Sequence, residues 1–178
     1  MNNECKSHDA FNIIYIVLLL KYLLLYFVDY NVTLYRIICI SKIVYCIIDI
    51  IWLYLIPSAI LINTNIIFIH HILTMILVWI SYINSNLFFM ITPIGLLVEI
   101  NTLLGILKRY INCDTLFKIS WIFFRLIMFP ILNYYFIKLS AGLPFIQKII
   151  SIFFSVVFTV LIFVYSYIKR HYLFSITG

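Results

Sequence analysis

Long apolar runs separated by short polar breaks make up almost the whole chain. A helix that crosses a membrane needs about 20 mostly apolar residues, whereas strands of a membrane barrel appear as segments of about 10 residues with alternating hydrophobicity. Six long runs are present, at residues 11–28, 37–57, 66–82, 87–107, 116–137 and 145–168. The pattern predicts an all-α, multi-pass membrane protein of about six transmembrane helices. The transmembrane domain is predicted over 11–170, between short tails at 1–10 and 171–178.

The composition agrees with this prediction and excludes the soluble classes of protein. Of the 178 residues, 66% are hydrophobic and only 10% are charged, whereas soluble domains carry about 25% charged residues. The net charge is +6, but the basic side chains are scattered and do not form the clustered stripe that binds nucleic acid. Membrane lipids are therefore the predicted partners, and nucleic acid is not. The sequence does not indicate whether the chain forms homo-oligomers.

The basic residues beside the predicted helices indicate an orientation in the membrane. Six spans place both termini on one side, and cytoplasmic loops carry an excess of Lys and Arg. The side of the termini has six basic residues and the other side has four, namely Lys6, Lys108, Arg109, Lys118, Lys169 and Arg170 against Arg36, Lys42, Lys138 and Lys148. This count predicts cytoplasmic termini. The glycosylation sequon Asn31-Val32-Thr33 would then lie in a lumenal loop.

Ionisable residues inside the predicted spans are the most informative positions. Each costs about 2.5–3.5 kcal/mol to insert at the bilayer centre and therefore needs a partner or a purpose. Lys21 can extend its ammonium group to the membrane surface. His70 and His71 lie near the start of the third predicted span. Six further polar residues lie on the second to fifth predicted spans, and those that cannot ionise lie at helical spacing from an ionisable one. We predict that they line a polar cavity for lipid; they are Asp49, Thr74, Ser81, Glu99, Thr102 and Arg125.

Two interpretations of these polar residues stay open on the sequence. In the structural one, Glu99 pairs with Arg125 and Asp49 holds a histidine, so that the polar groups only lock the helix packing. In the functional one, a carboxylate fixes the tautomer of a histidine, which then acts as a general base. A zinc site would need three or four converging ligands, and adjacent histidines such as His70 and His71 point about 100° apart on a helix. No metal and no cofactor are therefore expected.

The run from His70 to Tyr82, HHILTMILVWISY, resembles the histidine-pair signature of the TLC-domain family. That family includes the ceramide synthases and the translocating-chain-associated membrane proteins. The flanking segments are similar as well: a helix bearing Asp49 precedes the pair, an acidic helix with Glu99 follows it, and an aromatic helix contains Arg125. The resemblance covers about residues 36–170. It implies one bundle of six helices around a central cavity.

Ceramide synthases continue from the histidine pair to two aspartates three residues apart and then a glutamate. In this chain those positions hold Val98, Asn101 and Gly105, and Glu99 is the acid of this segment. The chain is therefore closer to the smaller, non-synthase members. The resemblance implies a protein that binds, senses, transports or remodels ceramide-like acyl-chain lipids, in the endoplasmic reticulum, another endomembrane or a host membrane.

Two alternative functions accompany this expectation. One is an acyl-CoA-dependent N-acyltransferase of the ceramide-synthase type, in which His70 and His71 would be catalytic and the acyl-CoA would be a co-substrate. One histidine would then deprotonate the sphingoid amine, and the other would stabilise charge on the thioester oxygen. The other alternative is a structural helper of membrane insertion or packing. Whether the chain is an enzyme stays open on the sequence.

Overall fold

A computed structural model describes residues 3–60 and 64–169 of the chain. These residues form helices and turns and contain no β-strand. The predicted all-α class is thereby confirmed, while the predicted C-terminal tail at 171–178 lies outside the described residues. The α-helices are α1 (Asn3–Asp29), α2 (Val32–Leu55), α3 (Thr64–Ile83), α4 (Ser85–Phe88), α5 (Ile91–Leu96), α6 (Glu99–Leu107), α7 (Asp114–Ser120), α8 (Phe129–Leu139) and α9 (Phe145–Ile168).

Five helical segments of the described residues are long and apolar enough to cross a membrane. They are α1, α2, α3, the continuous segment Asp114–Gly142 that contains α7 and α8, and α9. Helix α1 already begins at Asn3, so most of residues 1–10 belong to the first helix. The chain divides into two compact units, Met1–Pro93 and Ile94–Gly178. Each unit is described by itself below.

In the first unit, α1 and α2 pack against each other as an antiparallel pair. Their buried residues recur every three or four positions, as expected for helices that share a long interface. On α1 these are Cys5, His8, Asp9, Asn12, Ile16, Leu19, Leu23 and Tyr26, and on α2 they are Tyr35, Ile38, Cys39, Lys42, Tyr45, Cys46, Asp49 and Leu53. The interface is consequently polar near the start of α1 and apolar and aromatic near its end.

The connection between α1 and α2 is short. Tyr30 adopts a positive φ of 47°, a left-handed conformation that is uncommon for a residue with a side chain. Asn31 follows as the N-cap of α2, and its side chain accepts a hydrogen bond of 2.7 Å from the backbone N–H of Thr33. This contact satisfies one of the orphan donors of the first helical turn. The sequon asparagine is thus also a helix cap.

The predicted fourth span at 87–107 is wrong as a continuous helix, because the structure breaks this segment into α4, α5 and α6. Pro93 has no backbone N–H and cannot donate to the carbonyl four residues earlier, which belongs to Phe89. The hydroxyl of Tyr26 donates to that carbonyl instead, at 2.7 Å. Ile91–Leu107 is apolar but shorter than the five long segments. Among residues 3–60 and 64–169, five segments are thus long and apolar enough to cross a membrane, which is consistent with the predicted multi-pass bundle of about six helices.

In the second unit, the segment Asp114–Gly142 changes its helical geometry in the middle. Between α7 and α8, residues Trp121–Met128 form a π-helix, and the N–H of Phe129 donates to the carbonyl of Phe124. Pro130 follows directly and supplies no N–H donor, which favours an irregular backbone hydrogen-bond pattern in the preceding turn. Polar contacts then join α8 to α9: Asn133 donates to the carbonyl of Ser155 at 2.7 Å and to the hydroxyl of Thr159.

Candidate functional site

The structure divides the polar residues identified in the sequence between the two units. The first unit contains Asp49, His70, His71, Thr74 and Ser81. The second unit contains the other three, which are Glu99, Thr102 and Arg125. Within each unit, hydrogen bonds link some of these residues to side chains without a predicted role in the site.

Asp49 joins three helices of the first unit through its two carboxylate oxygens. Nε2 of His8 on α1 donates to Oδ1 at 2.7 Å, and Nε2 of His71 on α3 donates to Oδ2 at 2.6 Å. All three side chains are buried. A hydrogen bond to a charged group inside a protein is stronger than one in water, because the local dielectric constant is low. We call the three residues the His-Asp-His cluster.

The hydrogen bonds continue from His8 to the side chains around it. The amide Nδ2 of Asn12 donates to Nδ1 of His8 at 3.2 Å, and the hydroxyl of Tyr45 donates to Oδ1 of Asn12 at 2.7 Å. The ring of His8 is thereby in contact with Asn12 on one side and with the carboxylate of Asp49 on the other. Asn12 and Asp49 therefore hold the orientation of His8.

His71 differs from His8 at its second ring nitrogen. The residue is only 5% exposed, and its Nδ1 has no hydrogen-bond partner among the residues that the structure describes. The edge of the Tyr45 ring and the ring of His70 lie nearby, with centroids at 5.8 Å and 5.5 Å. A buried polar atom is normally paired, and Nδ1 of His71 is a buried atom of this cluster whose hydrogen-bonding capacity the described residues leave unused.

Lys42 lies about two helical turns before Asp49 on α2 and is almost completely buried. Its ammonium nitrogen is 4.7 Å from the centroid of the Tyr45 ring, a distance typical of a cation–π contact. Tyr45 in turn stacks on Tyr15, with ring centroids 3.9 Å apart. Lys42 was predicted to be one of the basic residues beside the helices, but it lies well inside α2.

The remaining predicted residues of the first unit have more local roles. The hydroxyls of Thr74 and Ser81 each donate to a carbonyl one turn earlier on α3, at 2.8 Å and 2.9 Å. Side chains that bond to their own helix are common structural elements, so these two do not extend the cluster. His70 is partly exposed and Lys21 is exposed. Of the predicted histidine pair, His71 therefore joins the carboxylate.

Arg125 is the centre of the polar contacts in the second unit. Its Nε donates to Oδ1 of Asn101 at 2.9 Å, and its Nη2 donates to the hydroxyl of Thr102 at 3.2 Å. The guanidinium carbon is 5.1 Å from the centroid of the Trp121 ring. The indole N–H of Trp121 donates to the hydroxyl of Ser166 on α9 at 3.0 Å. Neighbouring helices of this unit thus hold the guanidinium in one orientation.

The predicted partner of Arg125, Glu99, contributes to this site beside other side chains of α6. Glu99 is buried at the start of α6 and attracts the guanidinium electrostatically. The hydrogen bonds of Arg125, however, go to Asn101 and Thr102, two and three residues further along α6. Asn101 is itself fixed by a hydrogen bond of 2.8 Å to Ser120. The sequence identified the correct helices but not the correct hydrogen-bond acceptors.

Basic residues also lie at the turn between α6 and α7. Asp114 accepts from Lys118 at 2.9 Å and lies 3.8 Å from the ammonium group of Lys108. Burial lowers the pKa of Lys108, and the carboxylate of Asp114 opposes this change. The ammonium group of Lys108 also lies 4.0 Å from the centroid of the Phe117 ring. Half-buried lysine stems of this kind are typical of helix ends near a membrane surface.

Within residues 3–60 and 64–169, no group of three His, Cys, Asp or Glu side chains is arranged to hold a metal ion. In the His-Asp-His cluster, both histidines instead use Nε2 as hydrogen-bond donors toward the carboxylate. No protein-family model, no curated protein and no solved structure matches the chain. The arrangement of its own residues is therefore the basis for assigning a function.

Proposed function

We propose that the chain is a lipid-handling membrane protein of the TLC type, and that the first unit binds the polar group of a ceramide-like acyl-chain lipid at His71. The observation that carries this proposal is the buried Nδ1 of His71, which lacks a hydrogen-bond partner among the described residues. A buried polar atom without a partner costs about 1–3 kcal/mol. A ligand that supplies the missing hydrogen bond recovers this free energy.

A lipid suits the surroundings of this nitrogen better than a water-soluble ligand. The outward faces of the first three helices expose large apolar side chains, including Ile14, Leu24, Val44, Ile51 and Ile72. Acyl chains can pack on such faces within the membrane without loss of hydrophobic contact. A lipid thus combines apolar chains for these faces with one polar group for His71. Binding, sensing, transport and remodelling of the lipid all begin with this recognition step.

The contact between Asp49 and His71 favours a second candidate, the acyl-CoA-dependent N-acyltransferase. A carboxylate at 2.6 Å from Nε2 orients an imidazole ring and directs its other nitrogen toward a substrate. In that reaction, His71 would take a proton from the sphingoid amine as the amine attacks the thioester carbonyl. The thiolate of coenzyme A would leave as the amide bond forms. His70, with its ring 5.5 Å away, would stabilise the thioester oxygen.

Purification of the full chain with its bound lipids tests the proposal. We expect wild type in mild detergent to retain acyl-chain lipid at near one molecule per chain, and His71→Phe to retain at least about tenfold less, because Phe keeps the ring but has no hydrogen-bonding nitrogen. Mass spectrometry of extracted lipids gives the ratio. His70→Phe is the matched control and should retain lipid. Equal retention by wild type and His71→Phe, with both proteins monodisperse, would contradict lipid binding at this site.

The same preparations separate the two candidates. Incubation with a sphingoid base and an acyl-CoA should yield an N-acyl product only if the chain is an acyltransferase, and that product should be absent with His71→Phe. Lipid retention without product formation supports the binding protein. Formation of product by wild type and by His71→Phe at equal rates would contradict the role of His71 as the base.

The proposal includes an endomembrane or host-membrane location with both termini in the cytoplasm. Both termini lie on one side only if the number of crossings is even, so Ile91–Leu107 must complete a sixth crossing beside the five long segments. Single cysteines near Lys6 and Lys169, in a background without the four native cysteines, should then react with an impermeant maleimide from the cytoplasmic side. Labelling of the two positions from opposite sides would show five crossings and contradict this orientation.

A further inference from the structure

The turn between α6 and α7 in the second unit brings three basic side chains together around one carboxylate. The ammonium group of Lys118 lies 2.9 Å from Oδ2 of Asp114, and that of Lys108 lies 3.8 Å from Oδ1. Burial lowers the pKa of Lys108, Asp114 raises it, and the charges of Arg109 and Lys118 lower it further. The four charged groups are therefore close enough to interact. We call residues 108–118 the basic turn.

One carboxylate does not neutralise three cations. In the sequence from residue 94 to residue 178, Glu99 and Asp114 are the two acidic side chains. Glu99 is buried at the opposite end of α6, where its charge acts on Arg125. Within the second unit, the charges of the basic turn thus leave an excess of two positive charges. Such an excess attracts an anion.

Packing holds the basic turn in one shape. The ammonium group of Lys108 lies 4.0 Å from the centroid of the Phe117 ring, and this ring packs closely on α6. Gly105 permits the approach, because a Cβ at this position would lie 3.1 Å from the ring. The backbone N–H of Tyr110 donates to the carbonyl of Leu107 at 2.9 Å. Cations that are already held in place lose less conformational freedom when a ligand binds.

The surroundings of the basic turn suit a lipid. Asp114 is the first residue of a segment that is long and apolar enough to cross a membrane, which puts the turn at the level of the lipid headgroups. Tyr110, Ile111 and Leu116 are exposed beside the cations. Acyl chains can cover these apolar side chains while Lys and Arg reach the phosphates. A small soluble anion would leave the apolar side chains uncovered.

We propose that the basic turn is a binding site for the phosphate of an anionic phospholipid. Lys108, Arg109 and Lys118 supply the positive charge, and the exposed apolar side chains contact the acyl chains. A zwitterionic phospholipid also has a phosphate, but its headgroup cation is repelled by the same three residues. The site lies in the second unit and goes beyond the recognition of a ceramide-like lipid at His71.

Native mass spectrometry of the delipidated full chain in dodecyl maltoside tests the proposal. We expect dioleoyl-phosphatidylglycerol to bind at least about tenfold more tightly than dioleoyl-phosphatidylcholine. Each Lys or Arg near an anionic lipid corresponds to about fivefold in affinity. The double change Lys108→Gln and Arg109→Gln, which keeps the contact of Asp114 with Lys118, should therefore weaken phosphatidylglycerol binding about 25-fold. Lys138→Gln with Lys148→Gln removes the same charge elsewhere in this unit and is the matched control.

Asp114→Asn tests the proposal in the opposite direction. Loss of the carboxylate should tighten phosphatidylglycerol binding about fivefold, a gain that a misfolded variant would not give. Unchanged or weaker binding by Asp114→Asn, or equal weakening by the two double variants, would overturn the site. Displacement of the lipid by inorganic phosphate, but not by sodium chloride at equal ionic strength, would show a site for free phosphate instead.

His71→Phe separates this site from the proposed function. It should bind phosphatidylglycerol as tightly as wild type, whether or not it retains a ceramide-like lipid. Loss of phosphatidylglycerol binding in a monodisperse His71→Phe preparation would place the anionic lipid at His71 and overturn the assignment to the basic turn.

Discussion

Asp49→Leu is expected to lower the free energy of unfolding by about 3–5 kcal/mol, the range typical when one partner of a buried charged set is removed. The carboxylate binds His8 on α1 and His71 on α3 at 2.7 Å and 2.6 Å, so its loss leaves two buried rings without their acceptor. Unfolding in mixed micelles of dodecyl maltoside and dodecyl sulfate measures the change. Asp29→Leu, at an exposed position near the end of α1, is the control and should have little effect.

Two further variants distinguish a missing acceptor from an unfavourable leucine. Asp49→Asn keeps the shape and one oxygen acceptor but loses the charge, so we expect a smaller loss than with Asp49→Leu. The triple change His8→Leu, Asp49→Leu and His71→Leu removes every member of the cluster and should recover much of the stability, because an apolar replacement of a whole buried set is often neutral. A triple variant that is less stable than Asp49→Leu would contradict this account.

Arg125→Leu is expected to have a comparable effect on the second unit, about 3–5 kcal/mol, because it removes a buried cation that interacts electrostatically with the buried carboxylate of Glu99. It also removes the donors to Asn101 and Thr102. Arg125→Lys keeps the charge but replaces a planar fork by a single ammonium group, so we expect a smaller loss of about 1–3 kcal/mol. The same micelle titration applies. Lys138→Leu, at an exposed cation on the same membrane-crossing segment, is the control.

A second change tests how Glu99 contributes. If Glu99 acts through its electric field, Glu99→Gln should recover part of the stability lost in Arg125→Leu, since the double variant lacks the carboxylate with which the guanidinium interacted. Recovery should be incomplete, because Asn101 and Thr102 still lack their donor. Arg125→Lys with the stability of wild type would show that the two hydrogen bonds of the guanidinium group do not matter.

Helix formation was predictable from the sequence because hydropathy is a local property. Four of the five long segments of the structure overlap predicted runs with similar ends, and the fifth, α1, starts eight residues earlier than its run. The break at 87–107 was not predicted, since Pro93 lies in an otherwise apolar stretch and kinked helices can tolerate a proline. The carbonyl that Pro93 leaves without a donor is that of Phe89, which Tyr26 on another helix satisfies. Hydropathy carries no information about that partner.

The candidate site was predictable only in part. The contact between Asp49 and a histidine follows from the high cost of a buried carboxylate, and the structure confirms it with His71. His8 was missed because it lies among polar residues that suggest a tail. Its spacing of four and eight residues from Asn12 and Ile16 matches the buried face of α1, and this periodicity was the available signal. The partners of Arg125 were missed because charge alone favours Glu99, whereas the geometry of α6 presents Asn101 and Thr102.

The π-helical stretch between α7 and α8 has a consequence for insertions and deletions. A π-helix accommodates one residue more per hydrogen-bonded ring than an α-helix, and each residue of an α-helix turns the chain by about 100°. Trp121–Met128 therefore sets the angular phase between Arg125, which contacts α6, and Asn133, which contacts α9. Deletion of one residue after Arg125 would regularise the backbone but swing Asn133 away from Ser155. The number of residues in this stretch is thus constrained independently of their hydrophobicity.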